Sequence, residues 1–375
     1  MKLACIIPTL NGGGAERVMA KLCSELSRRD HDVTLITLDD GQQDRHQTEP
    51  SVQRLYLDVM GDPSSQSAFQ RSFLSKGLRA MSRISKIRQA IRKMHPDLIL
   101  SFCDQMNVMT LIAASRLEIP TIVCERSDPR HQALPSPWEW LRGATYPKAI
   151  KVITLTEEVG DYLAQRCNAD VAVIASAIDP PELDSQRELA QRACTILAMG
   201  RLEKEKGFER LIECFSESAH KNPDWKLCIV GEGSRREALE ERVRTLGLKG
   251  RVELPGWVVD PWNHYSNATF FVLPSHYEGF PSVLMEAMSR GIPALTVDCD
   301  SGPRAIVRTS STHSGKRTAH LIPNDHDALR EGVGKMIDDT TFRESVGLNA
   351  KCVTECYNWT TMVDQYEEII RLACG

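Results

Sequence analysis

The stretch 270–291, FFVLPSHYEGFPSVLMEAMSRG, constrains the fold more than any other part of the chain. An apolar run over 269–273 predicts a buried strand, which Pro274 and Ser275 end. A loop carrying Glu278, Gly279 and Phe280 follows, and Pro281 then opens a helix that stops at Gly291, with Pro293 beyond it. Proline at a helix start and glycine just past its end is the expected asymmetry. The unit is therefore strand, loop and helix, with the carboxylates of Glu278 and Glu286 eight positions apart. Such a loop lies at the carboxyl edge of a parallel sheet, where open α/β folds take ligands. The free N–H groups at the helix start favour a partly negative or hydroxyl-rich ligand.

The same alternation runs through both halves. Strands are predicted over 2–7, 32–38, 97–102, 120–124 and 149–155, with a helix over 15–29 whose apolar face is Val18, Met19, Leu22 and Leu26. It restarts with strands over 195–199, 226–230, 252–254 and 294–297. Two Rossmann-like, doubly wound parallel sheets are the expected architecture. A chain of 375 residues exceeds one typical core, so two domains are expected. Ile178-Asp179-Pro180-Pro181 and the polar run after it read as the linker. The boundaries are 1–177, a linker 178–194, and 195–357.

The net charge of −4 gives no reason for general nucleic-acid binding, and no apolar run approaches the ~20 residues of a membrane span. Twelve cysteines without a C-x-x-C pair read as reduced thiols of a cytoplasmic chain. The loop Asn11-Gly12-Gly13-Gly14 lies between strand and helix, where glycines let backbone N–H groups approach an anion. It is not the G-x-G-x-x-G fingerprint, so a tight turn and a phosphate cradle both remain open.

E-G-F-P-S-V-L-M-E resembles the E-x7-E signature of retaining glycosyltransferases of the GT-B fold, glycosyltransferase family 4 in particular. The resemblance implies that Glu286 grips the ribose of a nucleotide donor. It also implies that Glu278, with the backbone of Gly279 and Phe280, lines the transferred sugar. Gly200-Arg201-Leu202-Glu203-Lys204-Glu205-Lys206-Gly207 is similar to the family string G-R-L-x-x-E-K-G, whose Arg and Lys clasp the donor diphosphate. Arg201 and Lys206 take those parts and Lys204 faces solvent. Two fixed cations would meet the charge left on the departing phosphate without a metal. The family also implies that Gly13 and Gly14 face donor and acceptor, that Gly231 lies near the nucleotide, and that the loop at Trp257 holds the base through its backbone. For Gly231, tight turning alone is an equally adequate reading. A C-terminal helix, 358–375, is expected to pack back on the first domain.

Many members carry a histidine at the end of the strand 120–124; here Glu125-Arg126-Ser127-Asp128-Pro129 follows, and the nearest histidine is His131. E-R-S-D-P is similar to the E-R-N-D-P string of other members, which implies Glu125 or Arg126 on the acceptor side of the reacting centre. A turn capped by Ser127 or Asp128 is the bland alternative. The family's usual asparagine at the hinge is missing, since Ala175-Ser176-Ala177 stands there.

Over 71–93 the chain carries Arg71, Lys76, Arg79, Arg83, Lys86, Arg88, Arg92 and Lys93 and no acid, a charge of +8. Leu78, Met81, Ile84, Ile87, Ile91 and Met94 recur at helical spacing. A surface helix with a solvated basic rim is one reading. The favoured one is contact with anionic lipid or a lipid-linked diphosphate, through Arg79, Arg83 and Lys86, at about 1 kcal/mol per cation near the surface. Asp298-Cys299-Asp300 matches a metal-binding D-x-D pattern, but in this context a structural part is favoured.

Together these features predict a retaining hexosyltransferase. It would move a hexose or N-acetylhexosamine from a nucleotide-diphosphate sugar, with UDP expected by analogy, to a glycan or polyprenyl-diphosphate-linked acceptor. It would work as a peripheral protein at the cytoplasmic face of the inner membrane, with no metal or other cofactor. The rivals are a nucleotide-sugar epimerase of the same fold and an inactive membrane-associated nucleotide-sugar-binding protein.

Overall fold

The computed structural model describes residues 1–60, 73–180 and 194–374. The chain divides into two compact units, Met1–Ser176 with Thr360–Gly375, and Ala177–Trp359. Of the expected linker, 181–193 lie outside the described residues.

The first unit holds strands β1 (Lys2–Ile6), β2 (Asp32–Thr37), β3 (Gln53–Tyr56), β4 (Leu98–Phe102), β5 (Thr121–Cys124), β6 (Lys151–Thr154) and β7 (Val171–Val173). They pair in the order β3-β2-β1-β4-β5-β6-β7, every pair parallel. The central strands are continuous apolar runs because both faces are covered: every residue of β4 is buried. Helices α1 (Gly14–Arg28), α2 (Phe73–Met94), α3 (Asp104–Ala114), α4 (Ser136–Thr145) and α5 (Glu157–Cys167) supply the layers. One core packs Ile87 and Ile91 of α2 and Met106, Met109 and Ala113 of α3 on Ala4, Ile6, Ile36 and Ile99 of the sheet. The C-terminal helix Trp359–Cys374 docks on the same unit. Tyr366 lies 6.4 Å from the Phe102 ring and Arg29 is 2.6 Å from Asp364 and 2.8 Å from Glu367.

The expected apolar face of α2 holds only in its second half. Ile87 and Ile91 are buried, whereas Leu78 and Met81 are each 68% exposed. Length explains this: 22 helical residues reach about 33 Å, while a five-residue strand such as β4 covers about 17 Å. The first turns therefore overhang the sheet. Arg71 and the side chain of Lys76 lie outside the described residues. Arg88 donates from Nε to the Ala113 carbonyl at 2.9 Å and from Nη2 to the Ile112 carbonyl at 2.7 Å. It thereby closes the end of α3 and does not belong to a solvated rim.

The second unit holds β8 (Thr195–Met199), β9 (Lys226–Val230), β10 (Val252–Gly256), β11 (Phe270–Leu273), β12 (Ala294–Val297) and β13 (His320–Ile322). Their order is β10-β9-β8-β11-β12-β13, again all parallel. Helices α6 (Phe208–Ala219), α7 (Arg236–Thr245), α8 (Trp262–Asn267), α9 (Ser282–Ser289), α10 (Gly302–Ser314), α11 (His326–Asp338) and α12 (Thr340–Ala350) surround it. Each sheet reverses its order beside its first strand, between β1 and β4 and between β8 and β11. Loops leaving such neighbours run to opposite faces and open a crevice at the carboxyl edge. All twelve cysteines are free; Cys194 and Cys374 are exposed and the others are buried or half-buried.

Candidate functional site

In the second unit the crevice between β8 and β11 is built by two loops that touch backbone to backbone. The loop after β8 forms a 3-10 turn over Lys204–Lys206 and ends at Gly207 with φ +67°. A Cβ at Gly207 would stand 2.1 Å from the Pro274 carbonyl oxygen, so only glycine lets the loop close on the end of β11. That closure brings Lys206 Nζ to 2.8 Å from Glu278 Oε1, and Ser275 Oγ donates to the same oxygen at 2.7 Å. Glu278 is 8% exposed and Ser275 fully buried. Arg210, in the first turn of α6, fixes the β11 loop by donating to the Pro274 and Ser275 carbonyls, with Nη1 on Asn324 Oδ1 at 2.9 Å.

The loop after β12 packs on the same turn. A Cβ on Gly302 would meet the Gly279 carbonyl oxygen at 2.4 Å and Phe280 Cα at 2.8 Å. Cys299 lies beneath, its Sγ 3.2 Å from the Ser275 carbonyl oxygen; burial, then the nearby Glu278 charge, pushes its thiol up to about 12. It is an inert thiol. Asp298 and Asp300 both pair with Arg304, Nε standing 2.8 Å from Asp298 Oδ1. Among the described residues no three His, Cys, Asp or Glu side chains stand together as metal ligands.

Glu286, on α9, is 3% exposed and accepts from the Tyr265 hydroxyl at 2.9 Å. Arg201 is placed differently: its side chain is 72% exposed and 3.4 Å from Glu205, a surface pair of small worth. Glu203 secures the neighbouring turn, accepting from Ser234 N at 3.0 Å and from Ser234 Oγ at 2.6 Å. A Cβ on Gly231 would fall 1.9 Å from the Gly200 carbonyl oxygen, so close loop packing by itself accounts for that glycine. Trp257, beyond β10, is 46% exposed. The structure thus joins Lys206 directly to Glu278, with Arg201 on the same loop as Lys206. Ser275, Arg210 and Tyr265 are additions that sequence reasoning missed. Ser275 was visible only as a strand stop, and nothing local marked the other two.

In the first unit Gly13 is the extended N-cap of α1 and Gly14 its first residue, both exposed. A Cβ on Gly14 would meet nothing within 4 Å, whereas on Gly13 it would strike Glu16 Oε2 at 2.1 Å. Their loop and Cys103-Asp104 flank the crevice between β1 and β4, and the end of β5 comes next. There Glu125 and Arg126 part company. Glu125 is 1% exposed and accepts from the Tyr146 hydroxyl at 2.9 Å and from Ser127 Oγ at 3.1 Å, with Arg142 Nη2 3.8 Å away. Burial pushes its carboxyl up to about 7 against the opposing pull of Arg142. Arg126 is half-buried; its guanidinium lies 5.1 Å from the Phe102 ring centre and donates from Nη2 to Ser176 Oγ at 2.6 Å. Asp128 accepts from Arg130 N at 3.0 Å, which makes this part of the string a turn. On α2, Lys86 is exposed, and Arg79 and Arg83 are half-buried. Arg83 Nε lies 3.4 Å from the Val59 carbonyl oxygen; burial, with the charge of Arg79, lowers its pKa.

Comparison with known families falls on the same two units. The Glycosyl transferase 4-like domain matches residues 13–177 and Glycosyl transferases group 1 matches 180–353. The chain is a GT-B glycosyltransferase of the family 4-like type. Similar proteins include an enzyme of Campylobacter jejuni, GalNAc-alpha-(1->4)-GalNAc-alpha-(1->3)-diNAcBac-PP-undecaprenol alpha-1,4-N-acetyl-D-galactosaminyltransferase. It is 26% identical over 94% of this chain and 93% of its own. The amylovoran biosynthesis glycosyltransferase AmsD of Erwinia amylovora is 26% identical over 80% of this chain and 81% of its own. Among solved structures, Anabaena HepE in complex with UDP and glucose superposes with a TM-score of 0.77 at 17% identity, covering 99% of both chains. That likeness shows the fold of this glycosyltransferase. No helix among the described residues is long and apolar enough to cross a membrane.

Proposed function

We propose that this glycosyltransferase moves a hexose or N-acetylhexosamine, with retention of configuration, from a UDP-sugar to a glycan or polyprenyl-diphosphate-linked acceptor. One observation carries the reading: the Lys206–Glu278 contact of 2.8 Å at the β8/β11 crevice. A cation and a carboxylate there suit the two ends of a nucleotide sugar, diphosphate and hydroxyls. Lys206, with Arg201 swinging in from solvent, meets the charge that builds on the departing phosphate. Glu278 and the backbone of Gly279 and Phe280 align the sugar, and Glu286 takes the ribose hydroxyls. The loop at Trp257 borders the base, and the turn at Gly231 supports the nucleotide end. Because these side-chain cations meet the phosphate charge, transfer is expected to persist in EDTA.

Gly13, Gly14 and Arg126 face the acceptor. Its hydroxyl attacks the anomeric carbon on the face the diphosphate leaves, and its proton passes to a phosphate oxygen. The exposed Lys86, with Arg79 and Arg83, serves the anionic acceptor or an anionic membrane surface. The C. jejuni relative, whose name specifies a polyprenyl-diphosphate acceptor, supports that acceptor class. The deciding experiment incubates the enzyme with a panel of nucleotide sugars, with and without a polyprenyl-diphosphate-linked saccharide, and reads product and anomeric configuration by NMR. Acceptor-dependent transfer with retention is expected. An inverted product refutes the mechanism, and turnover of the nucleotide sugar to its epimer without acceptor favours the epimerase.

A further inference from the structure

Glu125 is a buried carboxylate that the chemistry above does not use. Side chains alternate along an extended strand end, so Glu125 and Arg126 turn to opposite faces. Glu125 enters the layer of α3 and α4. There Tyr146 and Ser127 donate to its two oxygens at 2.9 and 3.1 Å, and Arg142 Nη2 lies 3.8 Å away. Asn107, on α3, donates to the Cys124 carbonyl at 2.9 Å and contacts the Tyr146 hydroxyl at 3.4 Å. Glu125, Tyr146, Arg142 and Asn107 are all 1% exposed or less. Arg142 Nε and Nη2 and Asn107 Oδ1 have no hydrogen-bond partner among the described residues. The other charges facing the cluster are Asp104 on α3 and Glu139 on α4, the latter 3.1 Å from Arg142. An incompletely satisfied buried ion pair is a poor source of stability compared with apolar packing, which leaves specification of a local conformation as its service.

That conformation is the strand end from which Arg126 projects. Arg126 is held by Ser176 and the Phe102 ring, with Tyr366 alongside. Its Nε and Nη1 make no well-formed hydrogen bond among the described residues. We propose that Glu125 is a positioning residue for transfer, whose carboxylate, held by Tyr146, Ser127 and Arg142, fixes the strand-end turn that presents Arg126 to the acceptor. This rests on Arg126 facing the acceptor, as proposed above.

Burial places the Glu125 titration at about 7. Protonation removes one of the two counter-charges of Arg142, leaving Glu139, and one of the acceptor positions, so presentation of Arg126 loosens as pH falls. The test is the pH profile of kcat/KM for the acceptor in wild type, Glu125→Gln and Tyr146→Phe, with folding checked by circular dichroism. Wild type should fall to about a tenth of its plateau at pH 6, one unit below the titration. Glu125→Gln should be lower but flat from pH 6 to 8, and Tyr146→Phe should move the inflection upward. The KM for the nucleotide sugar should stay within about twofold throughout. A wild-type inflection that persists in Glu125→Gln overturns the proposal. Arg126→Ala separates the two readings: if it transfers at the wild-type rate, the acceptor-side assignment of Arg126 has failed and Glu125 has nothing to position. If Arg126→Ala is inactive while Glu125→Gln keeps the inflection, only the positioning role has failed.

Discussion

Lys206→Ala tests the donor site most directly. Lys206 Nζ sits 2.8 Å from a Glu278 carboxylate that is 8% exposed, and the lysine side chain itself is 18% exposed. Removing it leaves Glu278 with the Ser275 hydroxyl and no cation. A buried partner stranded in this way costs about 1–3 kcal/mol of stability, held toward the low end by the residual water access of the pair. The catalytic loss should be larger. If Lys206 meets charge that develops on the leaving diphosphate, its removal lowers kcat about 100- to 1,000-fold, close to 3–4 kcal/mol of transition-state stabilisation. Ground-state affinity for UDP, which carries the diphosphate before and after transfer, should weaken by about tenfold or less, ~1.4 kcal/mol. The measurements are thermal denaturation, calorimetric titration with UDP, and steady-state transfer. A variant that binds UDP weakly yet turns over within threefold of wild type at saturation would show that Lys206 contributes uniform binding only, and the leaving-group assignment would fall.

Three further outcomes follow from the geometry. Tyr265→Phe removes the donor 2.9 Å from Glu286 and should raise the nucleotide-sugar KM several-fold with kcat little changed; unchanged KM would count against Glu286 as the ribose ligand. Gly231→Ala forces a methyl to 1.9 Å from the Gly200 carbonyl oxygen, so the second unit should lose about 2 kcal/mol or more, read by denaturant titration. Glu125 bears on pH and stability with a definite sign. Its folded pKa of about 7 lies above the ordinary 4.5, so the folded chain binds the extra proton and stability declines as pH rises through that window. Between pH 5 and 8 wild type should lose about 2–3 kcal/mol relative to Glu125→Gln; parallel curves would refute the buried titration.

Much of the second unit was legible because its signals are local. Strand stops at Pro274-Ser275, the helix start at Pro281 and the close at Gly291 all lie within one short stretch, and β8, β9 and β12 fall where their apolar runs put them. The edge strands β3, β7 and β13 escaped notice: they are only three or four residues long and open to water on part of their surface, and β3 and β13 carry polar residues as well. Partnerships across the chain were harder. Lys206 and Glu278 stand 72 positions apart, and only adjacency of β8 and β11 makes them neighbours. Helical spacing on α2 put Leu78 and Met81 on one apolar face with Ile87 and Ile91 but could not show that only the latter pair is covered, because periodicity reports which residues share a face, not how far the sheet beneath extends. Nothing sequential distinguished Glu125 from Arg126, since the division between them is set by what α3 and α4 place behind one and not the other.

The distribution of thiols has a practical use. Cys194 belongs to the second unit and Cys374 to the first, and these are the two exposed cysteines of the twelve. Maleimide dyes should therefore label these two first, one on each unit, ahead of the half-buried Cys103, Cys352 and Cys356. Energy transfer between the two dyes could then follow any movement of one unit against the other as nucleotide sugar is added, with no engineered handle.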